Sequence, residues 1–228
     1  GCFNNFPQLV FVLTHLHHNM KELEKFKTSY HDGRLPHNFL HDYCDGYENC
    51  LPPTICYHVY QQFKDRIIPE DQSIVITTQG KAFRNEATNA ETLERLCDFT
   101  IRETVFIGSA KFAIQSREKL IGLVKSFLEF LQLDGYIVKA NDPFFLSQDS
   151  EIKAAFQREL ESKYEIHVRT GENKSISVGS LNIHLDFFGR NFNIKSSNDD
   201  FIHTSCSGFG LERFAYAFIC QHGTDPSR

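Results

Sequence analysis

Apolar residues recur at spacings of three and four across 14–30. Leu16, Met20, Leu23 and Phe26 share one side there, and the pattern predicts a helix. The next stretch, 31–55, is rich in Gly, Pro, His and Asn and reads as loops. Cys56-Tyr57-His58-Val59-Tyr60 reads as a short strand or as the start of another element. Residues 73–78 are a β-rich strand. Gly80 then precedes a second strand carrying Phe83, Arg84 and Glu86. A polar loop over 87–94 leads to a third strand over 98–107.

Two amphipathic helices are predicted after this. Residues 117–131 set Leu120, Val124, Phe127, Leu128 and Leu131 on one stripe, and 151–163 turn Ile152, Ala155, Phe156 and Leu160 inward. Asn141-Asp142-Pro143-Phe144-Phe145 lies between them. Strand-like stretches follow at 164–168, 175–185 and 191–194, and a last helix over 209–220 opens on glycines. Strands and helices do not alternate regularly, so the expectation is α+β: one domain over 1–228 with an antiparallel sheet flanked by helices and a helical insertion at about 115–163.

Composition narrows the function classes. A chain of 228 residues, 41% hydrophobic and 23% charged, is an ordinary globular protein long enough to bury a core. A net charge of −5 weighs against a general nucleic-acid binder and lowers the expectation of tRNA as a partner. No run of 18 apolar residues predicts a membrane span. The apolar run at 8–16 lacks a basic lead-in and does not read as a signal peptide. The first residue is Gly, so the start is expected to be processed, trimmed or internal to a longer gene. Seven cysteines without a CxxC pair predict reduced thiols and a cytoplasmic setting. His15, His17 and His18 are expected to be surface histidines.

Two distant segments carry the chemistry. One is Ala82-Phe83-Arg84-Asn85-Glu86, continuing through Leu93-Glu94-Arg95-Leu96-Cys97-Asp98-Phe99-Thr100-Ile101-Arg102-Glu103. The other is Ser207-Gly208-Phe209-Gly210-Leu211-Glu212-Arg213-Phe214, about 120 residues later. Taken singly, Arg84 and Glu86 read equally as a cross-strand ion pair, Glu94 and Arg95 as solvated surface, and Arg213 as a surface residue. Taken jointly they read as a nucleotide site. Guanidinium groups neutralise a triphosphate and fix it by paired hydrogen bonds, and glycines ahead of a helix let the backbone approach phosphate. In this order the two segments resemble motifs 2 and 3 of class II aminoacyl-tRNA synthetases.

The resemblance extends to one branch of that class. Leu51-Pro52-Pro53-Thr54-Ile55-Cys56-Tyr57-His58, then 82–108, then Ala140-Asn141-Asp142-Pro143-Phe144-Phe145 match in order. Gly179-Ser180-Leu181-Asn182-Ile183-His184-Leu185-Asp186-Phe187-Phe188-Gly189 and finally 206–214 complete the match. These blocks are similar to amino acid:carrier protein ligases, truncated homologues of the seryl-tRNA synthetases that handle substrate with zinc. The resemblance implies a homodimer and ATP-dependent adenylation of a small amino acid, glycine or alanine. The aminoacyl group then passes to the phosphopantetheine thiol of an acyl carrier protein. Arg84 would meet the α-phosphate, Glu86 the adenine or amino side of the nucleotide, and Arg95 and Arg213 the outer phosphates. Phe99 would stack on adenine, with Ser177 and Ser180 near a Mg²⁺ site. Phe214 stands where many relatives have Trp, and relatives extend further at the N-terminus.

Zinc enters by the same route, since spacing alone would never nominate Cys56, Glu103 and Cys206. Glu103 closes motif 2 and Cys206 borders motif 3, so both are expected to face one cleft. Two thiolates and a carboxylate leave a fourth zinc position open for an α-amine. Cys50, six residues before Cys56, is the alternative first ligand. Outward cations on the two predicted helices, Arg117, Lys119 and Lys125 with Lys153, Arg158 and Lys163, are the candidate dock for an acidic carrier. The competing readings are a tRNA-charging enzyme, a non-catalytic regulatory paralogue and an unrelated α+β binding module.

Overall fold

A computed structural model of the chain describes residues 9–86, 93–140 and 162–225. The expected helix over 14–30 is two elements. β1 (Val12–Leu16) pairs antiparallel with β2 (Cys44–Cys50), and α1 (Met20–Ser29) begins only after Asn19, whose side chain accepts from the Glu22 N–H. The three-four spacing holds within α1 alone. Leu16 belongs to a strand whose partner lies in the segment that reads as loop, and a local window cannot register such pairing. Between them α2 (Phe39–Tyr43) closes a small aromatic cluster of Phe26, Phe39 and Tyr43.

Cys56 starts a helix, not a strand: α3 (Cys56–Gln62) buries Cys56, Val59 and Tyr60 at helical spacing. β3 (Ile67–Ile68) follows. The two strands expected around Gly80 are one, β4 (Ile74–Phe83), which runs through Gly80 without a break and pairs with β5 (Asp98–Gly108) from Ile74↔Ile107 to Phe83↔Asp98. Arg84 and Glu86 therefore lie just beyond the strand that was expected to carry them.

α4 (Ala110–Phe130) starts at an N-cap, Ser109, and is longer than its periodicity predicts. Val124 and Leu128 are buried as expected, but Phe127 is 45% exposed and stacks on Phe214 at the edge of the stripe. Arg117, expected outward, is 5% exposed; its guanidinium lies over the Tyr164 ring at 4.9 Å and reaches Glu118 at 2.7 Å. β6 (Gly135–Lys139) comes next. The stretch expected as a helical insertion thus begins with a helix packed on the sheet and continues into a strand of the same sheet. The predicted helix over 151–163 lies outside the described residues except at its end, where Lys163 opens a strand.

β7 (Lys163–Gly171) and β8 (Lys174–Leu185) form a hairpin where strands are predicted. Residues 191–194 are not a strand. α5 (Phe187–Asn191) occupies the start of that run, Asn193 has a positive φ of 50°, and only β9 (Lys195–Ser196) pairs, in parallel with β3. β10 (His203–Gly210) takes up the glycines expected to open the last helix, and α6 (Leu211–His222) begins one residue after them.

Six strands form one antiparallel sheet in the order β4-β5-β10-β8-β7-β6. Side chains alternate across it. One face packs under α4 and α6, where Val124, Leu128 and Ala217 meet Ile166, Val168, Val178 and Leu181. The other face carries α3 and α5, where Val59, Tyr60 and Phe188 meet Val105, Ile107 and Cys206. Glu103 on β5, Cys206 on β10 and Asn182 and His184 on β8 belong to this second face. No helix among the described residues is long and apolar enough to cross a membrane.

Candidate functional site

The arginines meet where β4 leaves the sheet. Phe83 N–H donates to the Pro52 carbonyl and Arg84 N–H to the Cys97 carbonyl, both at 2.9 Å, so the chain stays locked beside the start of β5. Arg84 Nε donates to the Pro53 carbonyl at 2.9 Å and its guanidinium sits 5.3 Å from the centre of the Phe99 ring. Glu86, 14% exposed, accepts from Arg95 Nη1 at 3.2 Å and from Arg213 Nη2 at 3.3 Å. Arg213 Nη1 also reaches the Ser177 carbonyl at 3.3 Å. Arg213 is aimed by its neighbour: both carboxylate oxygens of Glu212 accept the Thr100 N–H at 2.8 Å, pinning the first turn of α6 to β5.

Burial holds the Arg213 pKa below its ordinary value; Glu86 pulls it back up, while Arg84 and Arg95 push it down. Three guanidinium groups thus lie within electrostatic reach of one another, with Glu86 and, more weakly, Glu165 as the carboxylates acting on Arg213. Such a corner carries surplus positive charge and favours a polyanion. Arg84, Glu86, Arg95, Phe99, Ser177 and Arg213 are thus brought together.

A second cluster sits on the sheet face that carries α3 and α5. The Cys56 thiol at the head of α3 and the Cys206 sulfur on β10 share a hydrogen bond that raises the Cys56 pKa and lowers that of Cys206. Thr54 donates its hydroxyl to Glu103 Oε1 in a short hydrogen bond and lies 3.5 Å from Cys56 Sγ. Asn182 Nδ2 and His184 Nε2 each approach Cys206 Sγ at 3.6 Å. Burial, then the charge of Cys206, push the Glu103 carboxyl up to about 7.

Among the described residues, no set of three or more His, Cys, Asp and Glu side chains is drawn together as a ready metal site. The three expected ligands are nonetheless linked, Cys56 to Cys206 directly and Cys56 to Glu103 through Thr54. The test of fit is Glu103 Oε2, a buried oxygen with no hydrogen-bond partner. Leaving such a group unmatched is costly, and a cation beside two sulfurs would match it. Cys50 pairs with Val12 on β2 and is not part of this cluster.

Ser180 separates from Ser177. It accepts from Asn182 Nδ2 at 3.0 Å and so belongs with the sulfur cluster, not with the arginines. The expected dock also changes. Arg117 is buried and Lys163 is half-buried, pairing with Glu165 at 3.3 Å, while Lys153 and Arg158 lie outside the described residues. Lys119 and Lys125 are exposed as expected. Thr54, Asn182, His184 and Glu212 are the functional candidates that sequence reasoning missed. Ser180, Asn182 and His184 do alternate, which is the signal that one strand turns all three to one face.

A cavity of about 520 Å³ near β3, β9 and the start of α4 contains none of these residues; its Arg190 is already paired with Asp186 at 2.7 Å.

Comparison with known proteins shows the family. The type-2 serine–tRNA ligase of Methanopyrus kandleri is 31% identical over 187 residues, covering 77% of this chain and 35% of its own length. Amino acid–[acyl-carrier-protein] ligase 1 of Bradyrhizobium diazoefficiens is 28% identical over all 228 residues, covering 68% of that protein, and ligase 2 of the same organism is 32% identical over 176 residues. The chain spans about a third of the length of the serine–tRNA ligases it matches. The crystal structure of the M. kandleri SerRS in complex with A. aeolicus tRNASec superposes with a TM-score of 0.83 at 28% identity, over 99% of this chain and 45% of that one. The family model of the tRNA synthetase class II core domain (G, H, P, S and T) matches residues 40–222. With most of its length inside that match, both arginine-bearing segments included, the chain belongs to the class II tRNA synthetase core domain family.

Proposed function

We propose that the chain activates a small amino acid, glycine or alanine, with ATP and passes it to the phosphopantetheine thiol of an acyl carrier protein. The amino acid carboxylate attacks the α-phosphorus and pyrophosphate leaves; the carrier thiol then attacks the mixed anhydride and AMP leaves. The observation that carries this reading is the pairing of Arg95 and Arg213 with Glu86, with Arg84 within electrostatic reach of Arg213, on the sheet that also bears the Glu103–Cys206 cluster. No protein nucleophile is needed, because positioning and charge stabilisation carry both transfers. Arg84 takes the α-phosphate, Arg95 and Arg213 the outer phosphates with Mg²⁺, and Phe99 the adenine. Glu86, which neutralises the guanidinium groups in the absence of nucleotide, turns to the adenine side.

Cys56, Glu103 and Cys206 would hold a zinc ion, which supplies an open Lewis-acid position for an α-amine. The buried, unpartnered Glu103 Oε2 supports this assignment. Names of relatives support the carrier acceptor, namely the two amino acid–[acyl-carrier-protein] ligases. A homodimer in the cytoplasm belongs to the same reading and rests on the sequence resemblance and the free thiols.

A tRNA acceptor is the second reading. It is favoured by the tRNA in the superposed seryl enzyme and disfavoured by the net charge of −5. Pyrophosphate exchange across the twenty amino acids, with and without zinc chelation, tests the activation step. Side-by-side charging of a phosphopantetheinylated carrier and of tRNA tests the acceptor. Exchange with no amino acid would sink the first reading, and charging of tRNA alone would replace it by the second.

A further inference from the structure

The zinc reading accounts for Cys56, Glu103 and Cys206 but not for the polar chain behind Cys206. His184 Nε2 lies 3.6 Å from Cys206 Sγ, and its Nδ1 lies 3.0 Å from Thr204 Oγ1 and 3.5 Å from Tyr60 Oη. Tyr60 and Thr204 are both fully buried, and both hydroxyls face His184 Nδ1. A buried hydroxyl must donate its proton. His184 Nδ1 is the acceptor that both hydroxyls share, so it receives a hydroxyl proton. That leaves the ring hydrogen on Nε2, aimed at the sulfur. The ring is held in place as well, edge-on against Phe188 at 4.8 Å and against Tyr60 at 6.3 Å.

We propose that His184 is a positioning residue for the Cys206 ligand, a neutral imidazole whose Nε2–H donates to the sulfur while Thr204 and Tyr60 fix the tautomer. This rests on the zinc reading above. A donor behind a ligating sulfur orients it and draws off part of its charge, which leaves the metal a stronger acid toward an incoming amine. Asn182 Nδ2 donates to the same sulfur from the neighbouring position of the strand. The Cys206 sulfur is thereby aimed from two sides, while the Thr54 hydroxyl lies 3.5 Å from Cys56 Sγ.

The test uses the full chain with Zn²⁺ or Co²⁺ alone as probe. Zinc affinity is read by chelator competition and the sulfur-to-cobalt charge-transfer band by absorption. His184→Ala is expected to weaken zinc binding by about 10- to 100-fold, the usual effect of losing such an outer partner. It should also move the band to longer wavelength, because the sulfur electrons lose the stabilising N–H. His184→Gln, which keeps an N–H donor, is expected to restore both in large part. Thr204→Val, nearly the same shape, should shift the band in the same direction by less, and serves where His184→Ala fails to fold. An unchanged band and affinity in His184→Ala overturns the proposal. Loss of binding in both His184 variants, with no rescue by Gln, makes His184 a ligand in its own right and also overturns it. A parent chain that takes up neither metal removes the zinc reading itself, a failure seen before any variant is made.

Discussion

Replacing Arg213 by Ala separates catalysis from folding, because the structure sets the two costs far apart. For folding, the side chain is 30% exposed and its ion pair with Glu86 spans 3.3 Å. A partly exposed pair contributes about 1 kcal/mol or less. Glu86 keeps Arg95 as a partner at 3.2 Å, and removal of Arg213 relieves repulsion from Arg84 and Arg95. Burial of the cation, the largest influence on its pKa, is also relieved. The net change in stability is expected to be within about 1 kcal/mol, or a few degrees in Tm. For catalysis, the outer phosphates lose a fixed charged donor at the moment pyrophosphate departs. Donors of this kind contribute about 2.7–4 kcal/mol, so exchange should fall by about 10²- to 10³-fold. Arg213→Lys should fall in between, since an ammonium keeps the charge and loses the two-pronged geometry. The assay is ATP–pyrophosphate exchange with glycine and alanine, paired with thermal melts of parent and variants. Exchange at the parental rate refutes the phosphate assignment. A large drop in Tm alongside the lost activity would make Arg213 a structural residue and refute the stability reasoning.

The remaining expectations concern the metal, the acceptor and the backbone. Purified protein should carry close to one zinc per chain, lost in Cys206→Ala; elemental analysis finding zinc retained in that variant would remove Cys206 from the ligand set. Reversing Lys119 and Lys125 to Glu should slow transfer to a phosphopantetheinylated carrier, increasingly so at low salt, and leave pyrophosphate exchange intact, since rim charges act mainly on encounter. Equal loss of both activities would show that these lysines do not form a dock. Gly179→Ala should destabilise the fold by about 1–3 kcal/mol, because the added Cβ would lie 2.7 Å from the Gly208 carbonyl and must push β8 off β10. An unchanged denaturation midpoint would show that the ladder can yield there.

The sequence by itself determined the arginine-bearing half of the proposed site. Arg84, Glu86, Arg95 and Arg213 were legible because each sits in a short contiguous segment whose residue types state their chemistry. The β5, β7 and β8 strands and the long α4 helix were legible from apolar periodicity, a signal carried by neighbours in the chain. Other features depended on partners far away in sequence. β1 could be told from a helix only by its pairing with β2, some thirty residues on, and Gly80 could be read through only because β5 supplies a continuous ladder. Arg117 looked like a surface cation until Tyr164 covered it. The sulfur cluster is the clearest case. Cys56, Glu103 and Cys206 come from a helix start and two strands, and their supporting donors come from a loop and a third strand. Only the register of β5, β10 and β8 turns Glu103, Cys206, Asn182 and His184 to one face. Burial there then raises the Glu103 pKa, through desolvation and the neighbouring Cys206 charge that no local stretch of sequence contains.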